Sequence, residues 1–178
     1  MPSSIKQRAA VVEAIVFDVD GVLTRGDLTY GPEGEWKTFS VQDGQGFDAA
    51  RRAGLKLALL TRRRSPAVRR RAQELGVRVL EEGAKDKGTG FTEVVERLEL
   101  DAAQVCFVGD DLVDLPAMER AGFAVAVANA ADEVKQRAAW VTQRSGGCGA
   151  AREVIEFVLK AKGLWEGVVQ SYLRTGDE

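Results

Sequence analysis

The stretch AIVFDVDGVLT, residues 14–24, places a short apolar run directly before two aspartates and a glycine. The run AIVF has no polar side chain, which is typical of a strand buried on both faces of a sheet. Asp18 and Asp20 follow where such a strand ends, and Asp-Gly is a common turn pair. The stretch therefore predicts an α/β fold in which a buried strand delivers two carboxylates to one edge of its sheet.

Similar apolar runs alternate with amphipathic helical patterns along the rest of the chain. This alternation favours a mainly parallel sheet covered on both faces, a Rossmann-like three-layer sandwich. At 178 residues we expect a single domain, 1–178, with a C-terminal tail at about 164–178. Strands are predicted at 14–17, 55–60, 77–80, 104–109, 123–128 and 140–142, and helices at about 44–53, 66–75, 88–99, 114–121, 132–139 and 150–162.

One segment interrupts the alternation. Residues 28–41 carry β-prone arms around the turn GPEG and predict a β-hairpin insertion after the first strand.

The composition excludes several classes of function. Hydrophobic residues make up 45% and charged residues 29%, with a net charge of −2, as in ordinary soluble globular proteins. No signal pattern and no apolar run of the roughly 20 residues needed to span a membrane is present, so we expect a cytoplasmic protein. Cys106 and Cys148 are too few for a disulfide framework. The chain has no histidine, which excludes Ser-His-Asp hydrolysis and His-ligated zinc.

Polar residues follow the predicted strands at the edge where parallel strands all end. Taken singly, each is more often a turn, cap or surface residue. Together, several carboxylates at one edge repel one another unless a cation lies between them, and carboxylate oxygens suit Mg²⁺. A lysine in GAKDKG lies with them; Lys87 opens the following helix, and Lys85 is its competitor. The set is Asp18, Asp20, Thr61, Lys87, Asp110, Asp111 and Asp114.

In order and position, these motifs resemble those of the haloacid dehalogenase (HAD) superfamily of phosphohydrolases. The resemblance implies that Asp18 is a nucleophile that becomes an aspartyl phosphate, with Asp20 as acid and base. It implies that Thr61 and Lys87 hold the phosphoryl oxygens. It also implies a Mg²⁺ site made by Asp18, the backbone carbonyl of Asp20, Asp110 and, in support, Asp114.

The spacing of the motifs leaves no room for a cap domain. Only the hairpin and one helix fit between Asp20 and Thr61, and only one helix fits between Lys87 and Asp110. Without a lid, water must be excluded by the substrate itself or by another subunit. We therefore expect either a macromolecular substrate or an oligomer.

Over about residues 12–162 the chain resembles the 3-deoxy-D-manno-octulosonate 8-phosphate (Kdo8P) phosphatase group, which is capless and carries such a hairpin. Matching motifs include FDVDGVLT, SVQDGQG, AKDK, VGDDLVDLPAM and GGCGAAREV. The resemblance implies a Mg²⁺-dependent Kdo8P phosphatase of lipopolysaccharide biosynthesis and a homotetramer through its hairpins. The net charge of −2 and the lack of a membrane-spanning apolar run predict no nucleic-acid or membrane partner. It implies substrate contacts from Asp20, Ser40, Val41, Gln42, Asp43, Gly44, Arg63, Arg71, Lys87 and Asp111.

Three positions depart from that group. Arg62 replaces the glycine of Thr-Gly-Arg, Asp48 stands where the group has a substrate-binding arginine, and Cys148 replaces the arginine of GGRGA. The departures leave open another nonulosonate phosphate or small phosphosugar as the substrate. The loop SGGCGA is either an anion cradle before its helix or a flexible connector, and Asp43 has the alternative role of capping the helix at 44–53.

Six arginines lie in LTRRRSPAVRRRAQELG, residues 60–76. Ser65 and Pro66 suit a helix start, and an apolar face at 68, 72 and 75 leaves Arg64, Arg69 and Arg70 as a solvated face. Arg63 and Arg71 suit the anionic ends of a substrate. Two other functions stay open: a non-enzymatic phosphoacceptor, and a nucleic-acid binder that uses the arginines.

Overall fold

The computed structural model describes residues 3–32 and 34–174. Within them the strands are β1 (Ala14–Phe17), β2 (Thr29–Gly31), β3 (Gly34–Trp36), β4 (Lys56–Thr61), β5 (Val79–Glu82), β6 (Val105–Gly109), β7 (Phe123–Ala126) and β8 (Trp140–Val141). The α-helices are α1 (Ser3–Ala10), α2 (Val41–Arg52), α3 (Pro66–Glu74), α4 (Lys87–Leu98), α5 (Leu115–Met118), α6 (Asp132–Arg137), α7 (Ala150–Ala161) and α8 (Trp165–Arg174). None of these helices has the length and apolar character needed to cross a lipid bilayer.

A parallel sheet of six strands forms the centre of the molecule, in the order β5-β4-β1-β6-β7-β8. Every residue of β1 is buried, because it lies between β4 and β6 with helices on both faces. The carboxyl ends of β4, β1 and β6 therefore lie side by side at one edge of the sheet. The predicted fold class is confirmed, and all six predicted sheet strands are present.

Two groups of helices cover the sheet. Helices α1, α2, α7 and α8 pack on one another, and so do α4, α5 and α6. The buried apolar side chains form one continuous cluster. In it, the rings of Phe17 and Phe47 lie 5.2 Å apart and tie β1 to α2.

The hairpin insertion is present as predicted. Strands β2 and β3 pair antiparallel, separately from the main sheet. The side chains of Tyr30 and Trp36 are 72% and 57% exposed, so the hairpin presents aromatic surface to its surroundings.

Helices at the ends of the chain were not visible in the sequence pattern. The predicted tail from about 164 is wrong for Trp165–Arg174, which form α8, while 175–178 lie outside the described residues. Trp165, Val168 and Tyr172 fall on one face of α8 and pack against the core. The predicted helix at 114–121 is a 3₁₀ turn, Leu112–Asp114, followed by the short α5.

Candidate active site

The predicted strand-end residues meet in one cleft at the carboxyl edge of the sheet. Asp18 follows β1, Thr61 ends β4, Asp110 follows β6, and Lys87 begins α4. The cleft has a volume of about 440 Å³. Its lining is Asp18, Asp20, Thr61, Arg62, Arg63, Lys87, Asp110, Asp111 and Val113.

Three carboxylates cluster at the base of this site, two of them in the cleft lining and the third, Asp114, buried behind it. Asp18, Asp110 and Asp114 each place one oxygen within 4.8 Å of the others. Burial, and next the charge of Asp114, raise the pKa of Asp18 to about 7. Burial, and next the charge of Asp18, raise the pKa of Asp110 to about 8. Crowded carboxylates of this kind ionise readily only when a cation offsets their repulsion.

Lys87 supplies one buried positive charge to the cluster. Its Nζ lies 2.5 Å from Oδ1 of both Asp18 and Asp114, and the residue is buried. Burial acts to lower the pKa of Lys87, but the two carboxylates outweigh it and raise that pKa above its ordinary value. Lys85 is exposed, so the structure favours Lys87 over its competitor.

Both carboxylate oxygens of Asp114 are bonded to other groups of the protein. Its Oδ2 accepts hydrogen bonds from the backbone N–H groups of Asp110, at 2.9 Å, and Asp111, at 3.2 Å, while Oδ1 meets Lys87. The residue is fully buried. Asp114 therefore shapes the loop that carries Asp110 and holds Lys87 in place.

The arrangement fits a divalent cation. Its donors are hard carboxylate oxygens that converge from two neighbouring strand ends, as Mg²⁺ requires. The loop after β1 also comes close to them: a Cβ at Gly21, whose φ is +101°, would lie 1.9 Å from Asp110 Oδ2. Only glycine permits this approach.

Two hairpin residues that the sequence analysis did not single out contact residues of the cleft lining. Lys37 Nζ bonds Asp20 Oδ1 and lies 2.8 Å from Glu35 Oε1, and Glu35 Oε2 pairs with Arg63. Glu35 and Lys37 alternate with Trp36, so both face the same way at the end of β3. This alternation along β3 is the sequence pattern from which Glu35 and Lys37 could have been predicted to share a face.

The other predicted substrate residues, Ser40 to Gly44 and Arg71, do not line the cleft of their own chain, as far as the described residues show. Ser40 is the N-cap of α2, where it accepts the Asp43 N–H, and its carbonyl accepts a 3.1 Å bond from Arg71. Val41 is 85% exposed, Gln42 accepts from Arg144, and a Cβ at Gly44 would lie 2.6 Å from Arg71 Nη2. Asp111 does line the cleft and caps the 3₁₀ turn after β6.

Asp43 does not cap its own helix, so that alternative is wrong. It is buried, and its carboxylate accepts from the backbone N–H groups of Gly149 and Arg152 at the start of α7. The SGGCGA loop therefore already holds an anion of its own chain. Its glycines also pack on the loop after β1: a Cβ at Gly146 would lie 1.6 Å from the Gly21 carbonyl oxygen.

The three departures occupy different surroundings. Arg62 lines the cleft, and Cys148 is exposed. Asp48 pairs with Arg51 and Arg52 and accepts a 2.7 Å bond from the Tyr172 hydroxyl, which joins α2 to α8.

The remaining arginines behave as a solvated face. Arg69 and Arg70 have side chains 54% and 84% exposed and pair with Glu82 and Glu74. These carboxylates lie on the same surface, so the arginines form no continuous basic field of the kind that nucleic acid requires.

Comparisons with known proteins agree with this geometry. A sequence model of the haloacid dehalogenase-like hydrolases matches residues 78–152. The chain is 38% identical over 162 residues to the 3-deoxy-D-manno-octulosonate 8-phosphate phosphatase KdsC of Escherichia coli (strain B / BL21-DE3), covering 90% of this chain and 86% of that one.

Two solved structures are similar over nearly their whole length. The 3-deoxy-D-manno-octulosonate 8-phosphate phosphatase from Yersinia pestis has a TM-score of 0.91 at 37% identity, covering 94% of this chain and 91% of that one. The phosphatase of the same name from Moraxella catarrhalis, in complex with a magnesium ion, a phosphate ion and a KDO molecule, has a TM-score of 0.92 at 36% identity, covering 97% and 99%.

Proposed function

Since the chain belongs to the haloacid dehalogenase-like hydrolases, in the group of the KdsC phosphatases, we propose that it hydrolyses 3-deoxy-D-manno-octulosonate 8-phosphate with Mg²⁺ as cofactor. The observation that carries the proposal is the cluster of Asp18, Lys87, Asp110 and Asp114 at the carboxyl edge of β1 and β6. A pathway role in lipopolysaccharide biosynthesis, a cytoplasmic location and a single domain over 1–178 are parts of the same proposal.

The reaction has two steps. Asp18 attacks the phosphorus, and the bond from phosphorus to the sugar oxygen breaks while Asp20 gives that oxygen a proton. Asp20 then takes a proton from a water molecule as the water oxygen bonds to the phosphorus of the aspartyl phosphate. Inorganic phosphate leaves, and the Asp18 carboxylate is restored.

Thr61 and Lys87 hold the phosphoryl oxygens during both steps. Thr61 is buried at the end of β4, and its Oγ1 accepts a 3.2 Å bond from the Arg63 N–H. This leaves the hydroxyl hydrogen of Thr61 for a phosphoryl oxygen. Lys87 is buried, and its positive charge is proposed to stabilise the transferring group.

Asp18, Asp110 and the backbone carbonyl of Asp20 would hold Mg²⁺, with Asp114 fixing the loop behind them. The bound ion supplies positive charge that offsets both the phosphate and the crowded carboxylates. This role agrees with the raised pKa values of Asp18 and Asp110, which indicate a cluster short of positive charge.

We further propose a homotetramer through the hairpins, in which a neighbouring subunit helps to close each open cleft. Tyr30 and Trp36 offer exposed apolar surface for this contact. Arg63 is proposed to bind an anionic end of the substrate. Ser40 to Gly44 and Arg71 are also proposed to contact substrate. They lie outside the cleft of their own chain, so an assembled oligomer is the arrangement in which they reach a substrate.

The test is phosphate release from Kdo8P, other nonulosonate phosphates and common phosphosugars, each with Mg²⁺ and with EDTA. We expect Kdo8P to have the highest kcat/KM and EDTA to abolish turnover. Faster hydrolysis of another sugar phosphate would replace Kdo8P and leave the chemistry intact.

The nucleophile has its own test. Asp18→Asn removes the attacking carboxylate, so we expect turnover to fall below detection while the thermal unfolding transition stays cooperative. Retained phosphatase activity in a folded Asp18→Asn protein would reject the assignment.

A further inference from the structure

A buried lysine of the hairpin lies against the residue proposed to move protons. The side chain of Lys37 is only 1% exposed. Its ammonium contacts carboxylate oxygens, namely Oδ1 of Asp20 and, at 2.8 Å, Oε1 of Glu35. Burying a lysine is costly unless the charge is paired, and this lysine is paired at the rim of the catalytic cleft.

The contact with Lys37 gives the two carboxylate oxygens of Asp20 different hydrogen-bonding environments. Oδ1 is held by Lys37, whereas Oδ2 is buried and has no hydrogen-bond partner among the described residues. Asp20 itself lines the cleft beside Asp18. A carboxylate held by one oxygen has less freedom to rotate, and its other oxygen is left without a protein partner among the described residues.

Glu35 extends this contact to the substrate side of the cleft. One of its oxygens meets Lys37 and the other pairs with Arg63, so a chain of alternating charges runs from Asp20 through Lys37 and Glu35 to Arg63. The hairpin thereby joins the residue proposed for proton transfer to a residue proposed for substrate binding.

We propose that Lys37 is a positioning residue for catalysis, which orients Asp20 so that Oδ2 gives the proton to the leaving sugar oxygen and later takes one from water. The proposal deepens the proposed function and rests on it. Lys37 keeps its protons throughout; the transferred proton moves only between Asp20, the leaving oxygen and water.

The test uses leaving groups that differ in their need for a proton. p-Nitrophenolate leaves without being protonated, whereas the sugar oxygen of a sugar phosphate must receive a proton as it leaves. In Lys37→Met we expect kcat for Kdo8P to fall by about 10²-fold with KM changed by less than about threefold. The first turnover of p-nitrophenyl phosphate should stay within about threefold of wild type, followed by slow steady-state release, because the second step still needs Asp20 as a base.

A double-mutant comparison isolates the route through Asp20. If Lys37 acts through Asp20, then adding Lys37→Met to Asp20→Asn should lower kcat by less than about twofold. Lys135→Met is the matched control, since Lys135 lies on α6, outside the cleft lining, and its ammonium is 3.7 Å from the single carboxylate of Asp132. We expect it to leave both substrates unaffected.

A first-turnover rate that falls equally for the two leaving groups, or a full additional loss on top of Asp20→Asn, would overturn the positioning role and leave Lys37 as an anchor of the hairpin. Lys37→Arg, which keeps the charge, is the second variant if Lys37→Met does not fold. It should restore part of the Kdo8P activity, and a loss as large as that expected for Lys37→Met would also overturn the proposal. Absence of phosphatase activity in the wild-type protein would instead reject the proposed function itself.

Discussion

At the scale of single residues, the site is dominated by negative charge in a confined space. Asp18, Asp110 and Asp114 stand within 4.8 Å of one another, and Lys87 is the buried cation that contacts two of them. Such a cluster is unfavourable in isolation, since each carboxylate raises the cost of ionising the next. The charge balance requires more positive charge than Lys87 alone provides, which is why metal binding and stability are expected to be linked.

We expect the stability of the metal-free protein to fall as pH rises from about 4 to about 8. Unfolded aspartates titrate near 3.9, whereas the folded-state pKa is about 7 for Asp18 and about 8 for Asp110. The folded state therefore holds more protons than the unfolded state in this range, and the free energy of unfolding decreases with pH. Mg²⁺ binds the ionised form, so the rise in Tm on adding Mg²⁺ should be larger at pH 8 than at pH 6.

Thermal unfolding with Mg²⁺ or EDTA at several pH values checks this prediction. Asp110→Asn is the control, because it removes one of the two titrating carboxylates and should abolish most of the Mg²⁺ effect. A rise in Tm that does not depend on pH would contradict the proposed linkage.

Lys87→Met is expected to lower kcat for Kdo8P by about 10²–10³-fold, because a buried positive charge aimed at the phosphoryl oxygens is lost. Steady-state kinetics measure the change. Lys85→Met is the matched control: it makes the same substitution two residues earlier, at an exposed side chain, and should alter kcat by less than about twofold. Similar losses in both variants would mean that the wrong lysine has been assigned.

At the scale of secondary-structure elements, contacts between helices decide what several residues do. Asp43 accepts the first N–H groups of α7, so its charge stabilises the amino terminus of a helix that begins about a hundred residues later in the chain. Asp48, five residues further along α2, binds Arg52 and the hydroxyl of Tyr172 on α8. Through these side chains α2 contacts both of the last two helices.

Asp48→Arg introduces the residue type that stands at this position in the Kdo8P phosphatase group. Here we expect it to lower the free energy of unfolding by about 1–2 kcal/mol, because it removes the bond to Tyr172 and places three arginines together on α2. We also expect no fall in KM for Kdo8P. Chemical denaturation and steady-state kinetics measure the two effects, and a lower KM would show that position 48 still faces the substrate in this protein.

At the scale of the whole molecule, the cleft is open, whereas the proposed reaction requires that water have limited access to the aspartyl phosphate. Residues 3–32 and 34–174 form no cap domain over the cleft, and the hairpin carries exposed aromatic side chains. An oligomer built through the hairpins would meet both requirements, since it would cover apolar surface and limit the access of water to the aspartyl phosphate.

Trp36→Glu places a charge on the hairpin face opposite Glu35 and Lys37, so we expect it to reduce the molar mass from that of a tetramer. It should lower kcat/KM for Kdo8P by about tenfold, and that for p-nitrophenyl phosphate by less. Light scattering coupled to size exclusion measures the mass. Leu173→Glu on α8 is the control, a 71% exposed apolar residue outside the hairpin. A wild-type monomer with full activity would contradict the assembly.

The sequence by itself determined the sheet, its strand positions and the chemistry of its carboxyl edge. Those properties are written in local patterns: buried apolar runs, helical periodicity, and polar residues at strand ends that parallel topology brings together. Lys87 could be preferred over Lys85 because a helix begins at it.

Only the tertiary structure decided which side chains bond across the chain. That Lys37 holds Asp20, that Asp43 serves α7 and that Asp48 binds α8 depend on how hairpin and helices pack. The period of two residues in strands and of 3.6 residues in helices shows which face a residue lies on, but not which distant side chain it contacts. The same holds for α1 and α8, which are short helices stabilised by packing against the core more than by their own propensity.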